Sequence, residues 1–202
     1  MKKELDLGKE KIGKLLLAFS VPCIISMIIN SIYNIVDQIF IGKGVGIIGN
    51  AATNVIFPIV IICNALAGLV GNGAAANLSL RLGEGKKDEA KKSIGSSITL
   101  LFIISILVVI IFELLLPNLV YAFGCTKNVY SSAMTYGRII VFGSFFMIIY
   151  SGLSQIIRAD GSPKYSMICL LVGAILNIIL DPILIFGLFG MPKLIWELQE
   201  VL

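Results

Sequence analysis

The sequence contains no histidine, and only 14% of its 202 residues are charged, whereas a soluble domain carries about 25%. Without histidine, imidazole catalysis and histidine-based metal sites are excluded. Four cysteines are present, but no CxxC spacing occurs, and Cys23, Cys63 and Cys169 lie inside apolar runs. We interpret the cysteines as small apolar residues, not as a disulfide or zinc framework.

Apolar residues dominate instead, at 57% of the chain, and the mean hydropathy is +0.98. A chain of this size has too few polar residues to cover a soluble core. The composition therefore predicts an integral membrane protein. The formal net charge of +4 could indicate binding to nucleic acid, but the positions of the basic residues are better explained by membrane topology.

Five apolar stretches are each long enough to cross a hydrocarbon core of about 30 Å as a helix, which takes about 20 residues. They predict an all-α polytopic transmembrane bundle. A segment over 1–14 precedes the bundle at 15–188, and a tail follows at 189–202. The predicted spans are 15–41, 51–79, 93–116, 131–157 and 164–188.

Basic residues are distributed unequally between the two sides of these spans. Twelve lie before span one, between spans two and three, or between spans four and five, and three lie on the opposite side. The positive-inside rule then predicts a cytoplasmic amino terminus. The basic charge therefore reflects membrane topology, with the protein in contact with lipid and not with nucleic acid.

Span one carries a polar stripe at helical spacing, because Ser26, Asn30, Tyr33, Asn34 and Asp37 recur along one face. Such a stripe faces a neighbouring helix or a water-filled cavity. Asn30, Tyr33 and Asn34 are candidate cavity-lining residues. Interhelical hydrogen bonding is the alternative for the two asparagines.

Two carboxylates and an amide are predicted to meet if spans one and five are neighbours. Asp37 and Asp181 both lie near the outer ends of their spans, and Asn177 precedes Asp181 by one helical turn. Carboxylate and amide oxygens suit a hard cation, and paired buried carboxylates gain proton affinity. The three residues form a candidate site for H⁺ or Na⁺, with structural pairing as the alternative.

Other polar residues within or near the spans have more than one interpretation. Glu113 is expected to reach the interface, and Arg138 either pairs with a carboxylate or extends outward. Asn64 and Asn72 are candidate cavity-lining residues in span two. The glycines around them favour close helix packing.

Four motifs occur in order between about residues 12 and 194: "YNIVDQIFIGKGVG", "GNGAAANLSLRLGEGKKDEA", "IIRADGSPKYSM" and "LNIILDPILIF". In sequence and spacing they resemble the MATE family of multidrug and toxic compound extrusion transporters. The resemblance is to the bacterial branch related to DinF and MepA, and it covers the amino-terminal lobe. It implies a multi-pass protein of the bacterial plasma membrane.

The resemblance implies a twelve-helix fold of two six-helix lobes around a central cavity. It implies export of lipophilic or cationic drugs in exchange for H⁺ or Na⁺, with no other cofactor and no enzymatic activity. The family's amino-terminal cation site matches Asp37, Asn177 and Asp181. A hydroxyl residue from helix six completes that site in the family, and this chain has no match for it.

The tail departs from the family after "GLFGMPKL", because "IWELQEVL" has no counterpart there. A frameshift, a truncated product and a natural half-length protein remain open as explanations. A chain with five of twelve helices and no second lobe is not expected to transport alone.

Three other functions are weighed against drug export. A lipid-precursor flippase of the same fold class has a more cationic cavity, and only Arg138 could supply that charge here. An intramembrane aspartyl protease also uses paired aspartates, but its GxGD signature is missing. A non-transporting structural membrane subunit predicts that replacing Asp37 or Asp181 in a full-length protein leaves drug resistance intact.

Overall fold

The structure is a computed structural model that describes residues 11–44 and 46–186. These residues form five helices, α1 to α5, and no strand. The predicted all-α fold is therefore confirmed. The predicted tail at 189–202 and most of the predicted 1–14 segment lie outside the described residues. The helices are Ile12–Gly44, Gly46–Gly83, Lys87–Ala122, Lys127–Ala159 and Pro163–Phe186.

Helices α1 to α4 are longer than the apolar stretches from which they were predicted. α2 and α3 have 38 and 36 residues, so each is more than about 50 Å long at about 1.5 Å per residue. Their ends continue into polar sequence, since a helix does not stop where the bilayer does. In the part of the chain that the structure describes, α1 to α4 are long and apolar enough to span a membrane, and α5 has a shorter apolar segment.

Short turns connect α2 through α5 and alternate the direction of the chain. Gly85, Gly124 and Gly161 each stand in one of these turns with φ between 76° and 86°. This left-handed conformation favours glycine because it has no Cβ. α1 and α5 are in contact, although three helices separate them in sequence.

α2, α3 and α4 form the centre of the bundle, and α2 packs most extensively against α4. The largest cluster of buried apolar residues lies between these three helices. Its fully buried members are Ala52, Ile56, Ile59, Cys63, Ala67, Leu101, Leu116, Val120, Ala133, Val141 and Ile148. Because lipid is as apolar as leucine, shape complementarity rather than hydrophobicity must hold such helices together.

Glycines bring α2 and α4 into backbone contact. A Cβ added at Gly71 would lie 2.9 Å from both the Cα and the carbonyl oxygen of Gly152. A Cβ at Gly152 would meet the side chain of Leu101 on α3. The close packing predicted from the glycines of span two is therefore present at Gly71.

α1 and α5 form a second layer. They pack against each other and make smaller contacts with α2 and α4, respectively. Serine residues connect α5 to α4: the hydroxyls of Ser154 and Ser166 are 2.6 Å apart, and both are buried. Arg158 donates to both hydroxyls, at 3.2 Å and 3.4 Å. This cluster fixes the α4–α5 hairpin near its turn.

Candidate substrate cavity and ion site

A cavity of about 300 Å³ opens between α1, α4 and α5. α1 contributes Asn30 and Tyr33, and α4 contributes Tyr150. The α5 wall consists of Cys169, Leu170, Gly173 and Ala174. Small residues on α5 leave the space open, while an amide and two phenols supply hydrogen-bonding groups. A mostly apolar cavity with a few polar groups is typical of small-molecule sites.

The polar stripe of α1 divides between this cavity and the helix itself. Ser26 donates to its own helix at the carbonyl oxygen of Pro22, 2.8 Å away, and is buried. The Asn34 amide donates to the backbone oxygen of Asn30 at 2.6 Å. The side chains of Asn30 and Tyr33 line the cavity.

Asp37 lies one turn beyond Tyr33 and two turns beyond Asn30 on the same face of α1, and its residue is half-buried. At about 1.5 Å per residue, Asp37 stands about 6 to 10 Å along the helix from those two residues. Asp37 is therefore one helical turn from Tyr33, the nearest lining residue of α1, and is not itself a lining residue.

Asn177 and Asp181 belong to α5, but their side chains lie outside what the structure describes. Their backbone positions continue the row of Gly173 and Ala174 at helical spacing. α1 and α5 are in contact, and Asn177 lies one turn beyond the lining residue Gly173 on α5. Spans one and five are therefore neighbours, as the predicted site requires.

The two candidates on α2 lie elsewhere. The Asn64 amide donates to the Val60 carbonyl oxygen at 3.1 Å and lies against the Met147 sulfur at 3.9 Å. Asn72 is exposed on α2. Neither residue lines the cavity between α1, α4 and α5, and Asn34 does not line it either.

Tyr150 and Cys169 line the cavity, and sequence reasoning missed both. Each stands within an apolar run, where a tyrosine or cysteine is usually interpreted as a packing residue. The spacing of Cys169, Gly173 and Asn177 by four residues was the available signal, since it marks one face of a helix.

Arg138 pairs with Glu113, as the first of the two interpretations of this arginine predicts, and its side chain is also largely exposed. The Arg138 Nε is 3.4 Å from Glu113 Oε1. The pair joins α4 to α3 and stands apart from the cavity.

Known proteins share this architecture. The MatE family model matches residues 22–183. The probable multidrug resistance protein YoeA of Bacillus subtilis is 25% identical over 187 residues, which are 93% of this chain and 40% of the relative. The multidrug export protein MepA of Staphylococcus aureus is 33% identical over 181 residues, covering 89% of this chain and 40% of that protein.

A solved structure of the MATE multidrug transporter DinF-BH in complex with rhodamine 6G superposes with a TM-score of 0.87 at 37% identity. It covers 100% of this chain, which corresponds to 45% of that protein. The chain thus spans about 40% of the length of the curated relatives that it matches. The matched family consists of transporters, not enzymes, and this multi-pass membrane chain is a member of the MATE family.

Proposed function

We propose that this chain is the amino-terminal lobe of a multidrug exporter, and that it supplies a cation site for exchange of drug against H⁺ or Na⁺. A second lobe is required for transport. The observation that carries the proposal is the cavity between α1, α4 and α5, whose lining residue Tyr33 is one helical turn from Asp37.

The chemistry of the cavity supports a lipophilic cation as the substrate. Asn30, Tyr33 and Tyr150 offer amide and phenol groups among apolar walls. The aromatic rings attract a delocalised cation through their π faces. A nearby carboxylate adds charge attraction in a medium of low dielectric constant.

Exchange follows if the drug and the coupling ion compete for the same negative charge. An ion on Asp37, with Asn177 and Asp181 as further ligands, neutralises that charge. The cationic drug then loses its electrostatic partner and dissociates. An ion can shift the equilibrium between two conformations of the lobe only if its affinity for them differs. Pro22 within α1 gives that helix a point at which to bend.

A lipid-precursor flippase is less compatible with the cavity, because none of the lining residues that the structure describes is a lysine or arginine. Arg138 could have supplied that charge, but it pairs with Glu113 at the α3–α4 contact. The alternative of a structural membrane subunit is tested by replacing Asp37 or Asp181 in a full-length protein, because it predicts that drug resistance stays intact.

Binding to the purified chain tests the site without requiring the second lobe. Rhodamine 6G, the compound in the complex of the DinF-BH relative, reports binding by fluorescence polarisation. We expect this dye to bind and to be displaced by Na⁺ or by acidification. In Asp37→Asn we expect that displacement to be lost. Asp88→Asn is the matched control, since it removes a highly exposed carboxylate at the start of α3.

Equal ion-dependent displacement in both variants would contradict the role of Asp37. Separate responses to Na⁺ at constant pH and to pH at constant Na⁺ distinguish the two coupling ions.

Sequencing of the gene beyond codon 193 tests the requirement for a second lobe. If another reading frame continues with a sixth helix and a second lobe, Asp37→Asn and Asp181→Asn in the repaired protein should abolish drug resistance. If no second lobe is encoded, the assignment of transport to this gene product fails.

A further inference from the structure

The Arg138–Glu113 pair leaves polar atoms unsatisfied at membrane depth. Its closest approach is 3.4 Å between Nε and Oε1, which is an ion pair and not a hydrogen bond. A guanidinium has five N–H donors, and the Arg138 group is paired through its Nε with one carboxylate oxygen. The Glu113 Oε2 atom is buried without a partner in the described part of the chain. Unmade hydrogen bonds of this kind are costly in an apolar medium.

The Arg138 side chain is 63% exposed, on the outer surface of the α3–α4 pair. It lies six residues from the centre of the predicted span 131–157, or about 9 Å from the bilayer midplane along the helix axis. The guanidinium is long enough to extend from that depth toward the interface. On the predicted topology this is the outer leaflet, where phosphate groups are the strongest acceptors.

An apolar groove of about 440 Å³ runs along the same surface, deeper in the membrane than Arg138. Phe142 lies one helical turn after Arg138 and starts the aromatic wall of the groove. Gly143 leaves the floor open, because a Cβ added there meets no atom within 4 Å. The remaining wall residues include Ile106, Ile110, Phe145 and Phe146. The groove therefore has a charged group at its shallow end and a purely apolar lining below.

We propose that this α3–α4 groove is a binding site for one glycerophospholipid, with an acyl chain in the groove and the lipid phosphate on Arg138. Phosphate matches the paired donors of a guanidinium, and charge-assisted hydrogen bonds of this type are strong and directional. The phosphate oxygens supply acceptors for guanidinium N–H groups other than the Nε that is paired with Glu113.

Selectivity follows from the hydrogen bonds to phosphate and not from net charge. Glu113 makes the pair formally neutral, so it offers little preference for an anionic over a zwitterionic headgroup. Lipids with choline or glycerol headgroups should bind alike. A diacylglycerol with the same chains lacks the phosphate and should bind more weakly.

Native mass spectrometry of the purified chain tests the site by titration with dioleoyl phosphatidylcholine, dioleoyl phosphatidylglycerol and dioleoylglycerol. We expect Arg138→Gln to lower the affinity for both phospholipids about tenfold, the effect of losing hydrogen bonds between charged groups. The variant should bind dioleoylglycerol as the unmodified chain does.

Gly143→Leu is the second test variant, because its side chain fills the groove while Arg138 stays in place. Gly95→Leu is its matched control, since a Cβ at Gly95 also meets no atom within 4 Å. Gly95 lies near the start of α3 and is not a groove residue. We expect weaker phospholipid binding in Gly143→Leu and unchanged binding in Gly95→Leu. Circular dichroism establishes that each variant retains its helical content.

Equal phospholipid affinity in Arg138→Gln, Gly143→Leu and the control would overturn the proposal. Equal binding of dioleoylglycerol and the phospholipids to the unmodified chain would also overturn it. A loss of self-association in the two groove variants, with lipid binding intact, would assign the groove to protein contact instead.

Discussion

Gly71→Ala should separate α2 from α4. The added Cβ would lie 2.9 Å from the Cα and the carbonyl oxygen of Gly152 and 3.3 Å from the Cβ of Gln155. Ordinary contacts of a Cβ lie between 3.4 and 4 Å. The first two neighbours are backbone atoms, so no rotamer change relieves the clash, and one helix must move by about 0.5 to 1 Å to restore close packing without overlap.

Gly73→Ala is the matched control, because it changes a glycine two residues away where a Cβ meets no atom within 4 Å. Both variants gain up to about 1 kcal/mol from the higher helix propensity of alanine. Overpacking in a closely packed contact costs about 1 to 3 kcal/mol. Gly71→Ala should therefore be less stable than Gly73→Ala by about 1 to 3 kcal/mol, since the propensity gain is common to both.

Unfolding of the two purified variants in the same detergent, followed by the loss of tertiary signal on titration with denaturing detergent, measures that difference. Equal midpoints for Gly71→Ala and Gly73→Ala would refute the backbone contact between α2 and α4. A lower midpoint for Gly73→Ala would refute the reasoning from available space.

Ser166→Ala should weaken the α4–α5 hairpin by about 1 to 3 kcal/mol, because it removes the buried hydroxyl that hydrogen-bonds to both Ser154 and Arg158; the same unfolding assay measures the loss. Ser79→Ala is the control, since that exposed hydroxyl bonds only to its own helix, and an equal effect of both changes would contradict the prediction. Cys169 should react with a water-soluble maleimide much faster than Cys63, in chains whose other cysteines are serine, because Cys169 lines the cavity and Cys63 is fully buried. Equal labelling rates, read by mass spectrometry, would argue against a water-filled cavity.

Helix number and helix type could be predicted because the relevant information is local. An apolar run of about 20 residues must form a helix in lipid, where each backbone polar group needs a partner within its own segment. The polar stripe of α1 could be predicted for the same reason, since helical spacing alone puts Asn30, Tyr33 and Asp37 on one face.

The partners of Arg138 and of the α2 asparagines could not be predicted in this way. Glu113 lies 25 positions before Arg138, and only the antiparallel packing of α3 on α4 brings the two together. Asn64 and Arg138 each had several candidate neighbours, because spacing along one helix says nothing about which helix it faces.

The sequence by itself determined a membrane-embedded, all-helical chain with carboxylates placed along two of its spans. Lipid imposes that outcome on any chain with this pattern of apolar and polar residues. Only the tertiary structure decided that α1 lies beside α5, that Gly71 meets Gly152, and that a cavity opens among α1, α4 and α5. These features depend on the fit of surfaces from distant parts of the chain, and the free energy of that fit is not encoded in any one segment.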